Sequence, residues 1–267
     1  MTTPLAPPAT LDFGAIGRLD GRAAIVTGAG NGIGRAIAHC FAQRGALVLC
    51  ADLDAAACAR CAAEIAAAGG RAWAQACDVA DRGQAEALVA AGAALPGGLR
   101  VLVNNAAAFP PVAKLTEVDD AQWQQALAVN LSAVFLLCRA AIGALRAAGG
   151  GSIVNIASQL GHVGAPGRAA YAATKAAVIQ LSRTLALDHA ADGIRVNSLS
   201  PGPVASERVA ARYGGLAETD RRFAAACPIG RAGRPAEIAR AALFLACDDA
   251  SFMTGADLLV DGGYTAQ

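Results

Sequence analysis

Ala-Ala-Ile-Val-Thr-Gly-Ala-Gly-Asn-Gly-Ile-Gly, residues 23–34, runs from a short apolar segment into alternating glycines and then into a helical pattern. The apolar start reads as a strand buried on both faces. Gly28 supplies the tight turn after it, Gly32 lets a backbone approach a pyrophosphate, and Gly34 lets helix and strand pack closely. The helix N-terminus beyond offers free N–H groups and a positive dipole end to phosphate. The spacing is Gly-x-x-x-Gly-x-Gly rather than the commoner Gly-x-Gly-x-x-Gly, with Gly30 adding freedom. What gives the pattern its meaning is its place in the first strand-to-helix turn, where Asn31 and Ile33 become further cofactor contacts.

A second apolar run, 47–51, leads to Asp52 and Leu53, about twenty residues past the loop, where such folds hold an adenosine ribose. A carboxylate at Asp52 accepts hydrogen bonds from both ribose hydroxyls. It repels a 2′-phosphate by on the order of a few kcal/mol at an effective dielectric near 20. Asn31 stands where an Arg could pair with that phosphate, so NAD is favoured over NADP. Asp52 could instead cap the helix starting near residue 55, but Asp54 is better placed for that.

Working outward, short Val-, Ile- and Leu-rich runs recur at 72–77, 101–103, 152–156, 195–199 and 258–260. Alanine-rich helical stretches lie between them at 34–44, 55–68, 84–94, 120–148, 171–189 and 235–247. Seven strands alternating with helices predict an α/β chain with one doubly wound domain over 18–267: a seven-stranded parallel sheet with helices on both faces. Residues 202–234, with scattered Gly and Pro, read as a substrate loop or lid. Pro4, Pro7 and Pro8 make 1–17 a flexible arm.

Hydrophobic residues make up 55% of the 267 and charged residues 16%, enough for a sizeable core and against disorder. Net charge is +1 with no basic block, so neither nucleic acid nor an acidic membrane surface is an expected partner. No uninterrupted apolar run approaches the roughly 18 residues of a spanning helix, and the N-terminus lacks a signal-peptide pattern. The expected location is the cytoplasm. The eight cysteines, including Cys58-x-x-Cys61, sit mostly in apolar or alanine-rich segments and read as reduced thiols. His39, His162 and His189 are too scattered for a zinc site, and no metal is expected.

Ser158 ends the fifth apolar run, at the carboxyl edge where open α/β sheets place their sites. Tyr171 and Lys175 are four apart and share a helix face. An ammonium near a phenol favours the phenolate and lowers its pKa. A surface Tyr–Lys pair would be commonplace alone; beside the glycine loop it becomes a proton-handling pair.

These motifs together resemble the classical short-chain dehydrogenase/reductase family from about Leu19 to Gly263. The matches are Thr27-Gly-Ala-Gly-Asn-Gly-Ile-Gly34, Cys77-Asp78-Val79, Asn104-Asn105-Ala106-Ala107, Val129-Asn130, Ser158, Tyr171-x-x-x-Lys175 and Pro201-Gly202. The resemblance implies a single Rossmann-type domain, a nicotinamide cofactor and a homotetramer. It implies that Asp78 and Val79 bind adenine, that Asn105 lines the cleft near the ribose, and that Asn130 holds a water relay to Lys175. Lys175 also binds the nicotinamide ribose, while Tyr171 is the acid/base and Ser158 holds the substrate oxygen. Pro201, Gly202 and Val204 pack near the nicotinamide, and Ser206 replaces the family's usual Thr at its carboxamide. Ala107 departs from the usual glycine; neither change removes a required chemical group.

The implied activity is hydride transfer between NAD and a secondary alcohol or ketone, a small-molecule substrate, with Tyr171 taking or giving the proton. Gln159 and His162, just after Ser158, could reach a polar substrate, although a lone loop histidine is more often simply hydrogen-bonded. Glu207, Arg208, Arg212 and Tyr213 sit either on the lid or on a solvated helical face. A 3-oxoacyl-[acyl-carrier-protein] reductase is the alternative, weakened by Asp52 and Asn31, since that reaction normally draws on NADPH. A non-catalytic cofactor-binding sensor would have lost Tyr171, Lys175 or Ser158, and all three are present.

Overall fold

The computed structural model describes residues 16–267; the arm expected over 1–17 falls outside them apart from Ile16 and Gly17. The strands are β1 (Ala23–Thr27), β2 (Leu47–Asp52), β3 (Arg71–Ala76), β4 (Leu99–Asn104), β5 (Gly151–Ile156), β6 (Ile194–Pro201) and β7 (Asp257–Val260). They form one parallel sheet in the order β3-β2-β1-β4-β5-β6-β7. All seven expected strands are present, with ends shifted by a residue or two.

Alternation along the strands explains why both faces are covered. On one face Ala24 and Val26 of β1, Val101 and Val103 of β4, and Val154 and Ile156 of β5 join one core. The helices α1 (Gly32–Gln43), α2 (Ala55–Ala67) and α9 (Pro235–Ala246) cover it with Ile37, Phe41, Ile65 and Ile238. On the other face Ile25, Leu102 and Ile153 join a second core. Here α3 (Arg82–Ala93), α5 (Ala133–Ala147) and α6 (Ala169–His189) supply Leu88, Leu137, Leu145 and Val178. Each fully buried Leu, Ile or Phe side chain contributes about 1.5–3 kcal/mol from its removal from water.

Asp54, not Asp52, caps α2: its carboxylate accepts the Ala57 N–H at 2.9 Å. The expected helix 120–148 is divided. α4 (Asp120–Leu127) and α5 are joined by a π turn, Ala128–Ser132, that contains Asn130. Asp120–Ala147 is long and apolar enough by composition to cross a membrane. Its α5 half, however, buries Val134, Leu137, Ala141 and Leu145 against the sheet, as a core helix does. Two helices arise within the expected loop or lid: α7 (Glu207–Arg212), where a helical face was one of the two readings, and α8 (Leu216–Ala224), which was not expected. Each is shorter than the window over which a helical period can be recognised, and Gly214-Gly215 divides them.

Candidate active site

The chain runs from β1 outward to β3, then returns to place β4 on the other side of β1. This reversal opens a crevice at the carboxyl ends of β1 and β4. Thr27 ties its walls together. Its Oγ1 accepts the N–H groups of Asn105 and Ala106, at 3.0 and 3.1 Å. The Asn105 side-chain amide donates to the carbonyls of Thr27 and Gly28, so Asn105 stitches β4 to the glycine turn.

The glycine turn fits a dinucleotide phosphate. Gly28 has φ +63°, and a Cβ on Gly34 would lie 2.0 Å from the Gly28 carbonyl oxygen. The start of α1 therefore rests directly on the turn, with its N–H groups facing the crevice mouth. One of them, on Gly32, donates to the Glu207 carboxylate of α7 at 3.1 Å, so an anion is already held there. Asp52 accepts the Gly30 N–H at 2.8 Å and the Asp54 N–H at 3.0 Å, which fixes its carboxylate at the mouth of β2. Asn31 is the N-cap of α1 without a side-chain cap, and Leu53 is exposed at the same mouth. Ile33 packs on the core, the Asp78 carboxylate accepts the Ala80 N–H, and Val79 is buried.

Across the crevice, Ser158 follows β5, and Tyr171 lies in the first turn of α6 with Lys175 one turn on. The Lys175 Nζ is 5.7 Å from the centre of the Tyr171 ring and donates to the Ile156 carbonyl at 2.7 Å. Burial pushes the Lys175 ammonium down to about 8. Burial also pushes the Tyr171 phenol above its ordinary value, while the Ser158 hydroxyl, Arg168 and Arg208 pull it partly back. The lowering expected from Lys175 is not found: desolvation of the phenol dominates, and Ser158, Arg168 and Arg208 are the groups that oppose it. The Ser158 hydroxyl donates to Gln159 Oε1 and accepts the Leu160 N–H.

Asn130 is fully buried. Its side chain exchanges two hydrogen bonds with the Ala108 backbone, at 2.8 and 3.0 Å. The π turn aims it at the loop after β4, and π turns of this kind frequently mark functional sites. Behind the crevice, Asn104, Asn155 and Ser182 form a buried chain of hydrogen bonds linking β4, β5 and α6.

His162 makes its side-chain hydrogen bond outside this cluster of contacts. His162 pairs with the buried Asp257 at 2.8 Å, and Ser200 donates to the other oxygen of the same carboxylate. This links the loop after Ser158 to β6 and β7. Pro201 ends β6, and a Cβ on Gly202 would meet the Asp261 backbone at 2.6 Å. Val204 is bridged to Gly233, and the Ser206 hydroxyl accepts the Val209 N–H as the cap of α7. From α7, the Arg208 guanidinium lies 3.7 Å over the Phe109 ring, and Phe109 stacks on Tyr171 at 5.5 Å. Arg168, at the end of the loop that follows Ser158, lines a cleft with Tyr171 and Pro110. That Thr27 ties the two walls and that Asp257 takes His162 was not legible; a lone Thr or Asp carries no pattern that assigns it such a role.

Known proteins agree with this arrangement. A family model described as enoyl-(acyl carrier protein) reductase matches residues 28–265. The cis-4-hydroxycyclohexanecarboxylate dehydrogenase of Sinomonas cyclohexanicum is 44% identical over 92% of this chain and 97% of its own length. The galactitol 2-dehydrogenase (L-tagatose-forming) of Cereibacter sphaeroides is 44% identical over 96% and 99%. A crystal structure from Beutenbergia cavernae, of a protein assigned as an NAD(P)-dependent gluconate 5-dehydrogenase with NADP bound at low occupancy, superposes with a TM-score of 0.86. It is 42% identical and covers 94% of this chain and 99% of that one. The chain belongs to the classical short-chain dehydrogenase/reductase family, as an NAD(P)-dependent oxidoreductase acting on CH–OH groups.

Proposed function

We propose that this oxidoreductase interconverts a small secondary alcohol and its ketone with NAD in preference to NADP. The observation that carries the reading is the meeting of Ser158, Tyr171 and Lys175 across one crevice from the glycine turn. When bound, nicotinamide accepts or supplies the hydride there. The Ser158 hydroxyl holds the substrate oxygen, and the Tyr171 phenolic oxygen takes its proton in oxidation or returns it in reduction. Lys175 keeps a proton-bearing nitrogen one turn away, anchored on the Ile156 carbonyl. Asn130 holds the Ala108 backbone, which sets the loop that forms the near wall.

The named relatives act on a cyclic hydroxy acid and a polyol, which supports a secondary alcohol and leaves its polar groups open. The NAD preference is supported by Asp52, held by the Gly30 and Asp54 amides, and by Asn31 in place of a phosphate-pairing Arg. The neighbour holds NADP, so the fold does not support the preference, which rests on these residues alone. We place residues 202–234 as a lid, supported by the reach of α7 to both Gly32 and Phe109. Homotetramer formation in the cytoplasm completes the reading. Exposed Phe135 on α5 and Leu187 on α6 support assembly, and sedimentation as a monomer would remove it.

The test is a panel of secondary alcohols and ketones offered with NAD or NADP, read by absorbance at the reduced-nicotinamide band. Turnover faster with NAD is expected. Turnover at least as fast with NADP would overturn the preference, and none with any member would overturn the activity.

A further inference from the structure

Two cations approach Tyr171 from different elements without an acidic partner. Arg168 precedes it by three residues at the start of α6 and lines the same cleft, with Pro110, Pro111 and Val118. Arg208 reaches it from α7 through the Phe109 ring. Of the other arginines on this side, Arg221 pairs with Glu218, Arg231 with Glu237 and Arg234 with Asp220, while Arg212 and Arg222 lie over the Tyr213 ring. Among the described residues, Arg168 and Arg208 meet no carboxylate. Glu207, next in sequence to Arg208, is turned away toward Gly32 and Arg35.

The Arg208 guanidinium carbon lies 3.7 Å from the centre of the Phe109 ring, and a guanidinium offers an N–H fork that matches a carboxylate in two parallel hydrogen bonds. Phe109, under the fork, and Pro110, Pro111 and Val118, which line the cleft with Arg168, suit a hydrocarbon body. An apolar wall beside an unpaired fork selects a compact molecule with one charged end.

We propose that the substrate is a hydroxy acid, whose carboxylate Arg208 holds within the field of Arg168 while its hydroxyl carbon faces Tyr171. The inference rests on the hydride-transfer reading of the site and names the substrate class within it. A carboxylate at one end fixes the orientation of the molecule, so only one carbon is presented at Ser158 and Tyr171.

Binding without turnover tests this. The probes are cyclohexanecarboxylate and cyclohexanecarboxamide, matched in shape and differing in charge, titrated by calorimetry into enzyme saturated with NADH. The carboxylate is expected to bind at least ~10-fold more tightly, the range of a charge-assisted hydrogen bond. Arg208→Met keeps an unbranched stem over Phe109 and removes the charge; it should bring the two probes within ~3-fold. Arg208→Lys should restore part of the difference, and Arg168→Met should reduce it by less than Arg208→Met. Equal affinity of the wild type for the two probes, including none measurable for either, overturns the proposal. So does a preference that survives Arg208→Met. Because no turnover is needed, Tyr171→Phe should keep the carboxylate preference, and failure of the hydride-transfer reading would show instead in the alcohol panel.

Discussion

The two walls of the crevice are built differently. The wall we propose for the cofactor is backbone: Gly28, Gly30 and Gly32 present main-chain groups, and Asp52 and Asn105 hold that main chain in place. The wall we propose for the substrate is side chain: Phe109, Arg168, Arg208 and Tyr171 stack or gather through surfaces that several other residues could supply. A backbone wall tolerates almost no variation in its own sequence, since a single Cβ collides with the chain. A side-chain wall can be rebuilt residue by residue, which is how one scaffold serves relatives named for different alcohols.

Substituting glycine by alanine on the backbone wall and in the segment that follows α7 breaks or sharpens this contrast most. Gly34→Ala places a Cβ 2.0 Å from the Gly28 carbonyl oxygen and should weaken NADH binding by ~100-fold or more, about 2.7 kcal/mol. Gly214→Ala, between α7 and α8, meets nothing within 4 Å, and its φ of +80° leaves a strain of about 1 kcal/mol. Fluorescence titration and Tm measure both; a Gly34→Ala protein that binds NADH normally would refute the backbone account.

Asp52→Ala comes next. Removing the carboxylate should shift the NADH-to-NADPH affinity ratio toward NADPH by at least ~10-fold, within the few kcal/mol that a nearby charge supplies. An unchanged ratio would move the selectivity elsewhere.

Proton handling gives a smaller, graded effect. Because burial raises the Tyr171 pKa, the phenol stays protonated through neutral pH. Alcohol oxidation, which needs the phenolate, should therefore climb as pH rises above 7, while ketone reduction should fall at the alkaline end. A pH profile of kcat/KM in both directions checks this, and an oxidation rate flat from pH 7 to the alkaline limit would contradict it.

The smallest effect is expected just beyond residues 202–234. Glu237 accepts both terminal nitrogens of Arg231 and the Arg234 N–H, which depresses its carboxyl to about 2. A depressed folded pKa contributes stability above the unfolded value, near 4.5, which is lost as pH falls through about 2. The pair is about one-third exposed, so screening leaves the contribution at under ~1 kcal/mol. Glu237→Gln should lower Tm slightly at pH 7, and the difference should shrink below pH 4. A difference that grows in acid would reverse the sign of this account.

The same contrast governs what could be read from the residues alone. The sheet was legible because seven apolar runs carry their own period, and the cofactor wall because glycine spacing is itself the geometry. Ser158, Tyr171 and Lys175 were placed on the correct edge through their elements. The effective state of the phenol was not: charge proximity is visible in a four-residue spacing, but desolvation depends on what packs around it. The two helices within 202–234 escaped for a different reason. Helices of six and nine residues show no readable period, and whether Glu207 and Arg208 face solvent or the crevice is decided by how α7 docks. His162 shows the limit of adjacency: four residues from Ser158 in the chain, it serves Asp257 instead.

The most direct test of the central claim is Tyr171→Phe, assayed for alcohol oxidation and for NADH affinity in the same preparation. Loss of the phenolic oxygen removes the proton acceptor and leaves the glycine turn, Asp52 and Lys175 in place. Turnover should fall by ~10²–10⁴-fold with the NADH dissociation constant changed by less than ~3-fold. Turnover retained within ~10-fold of wild type, with NADH still bound, would contradict the assignment of the proton to Tyr171.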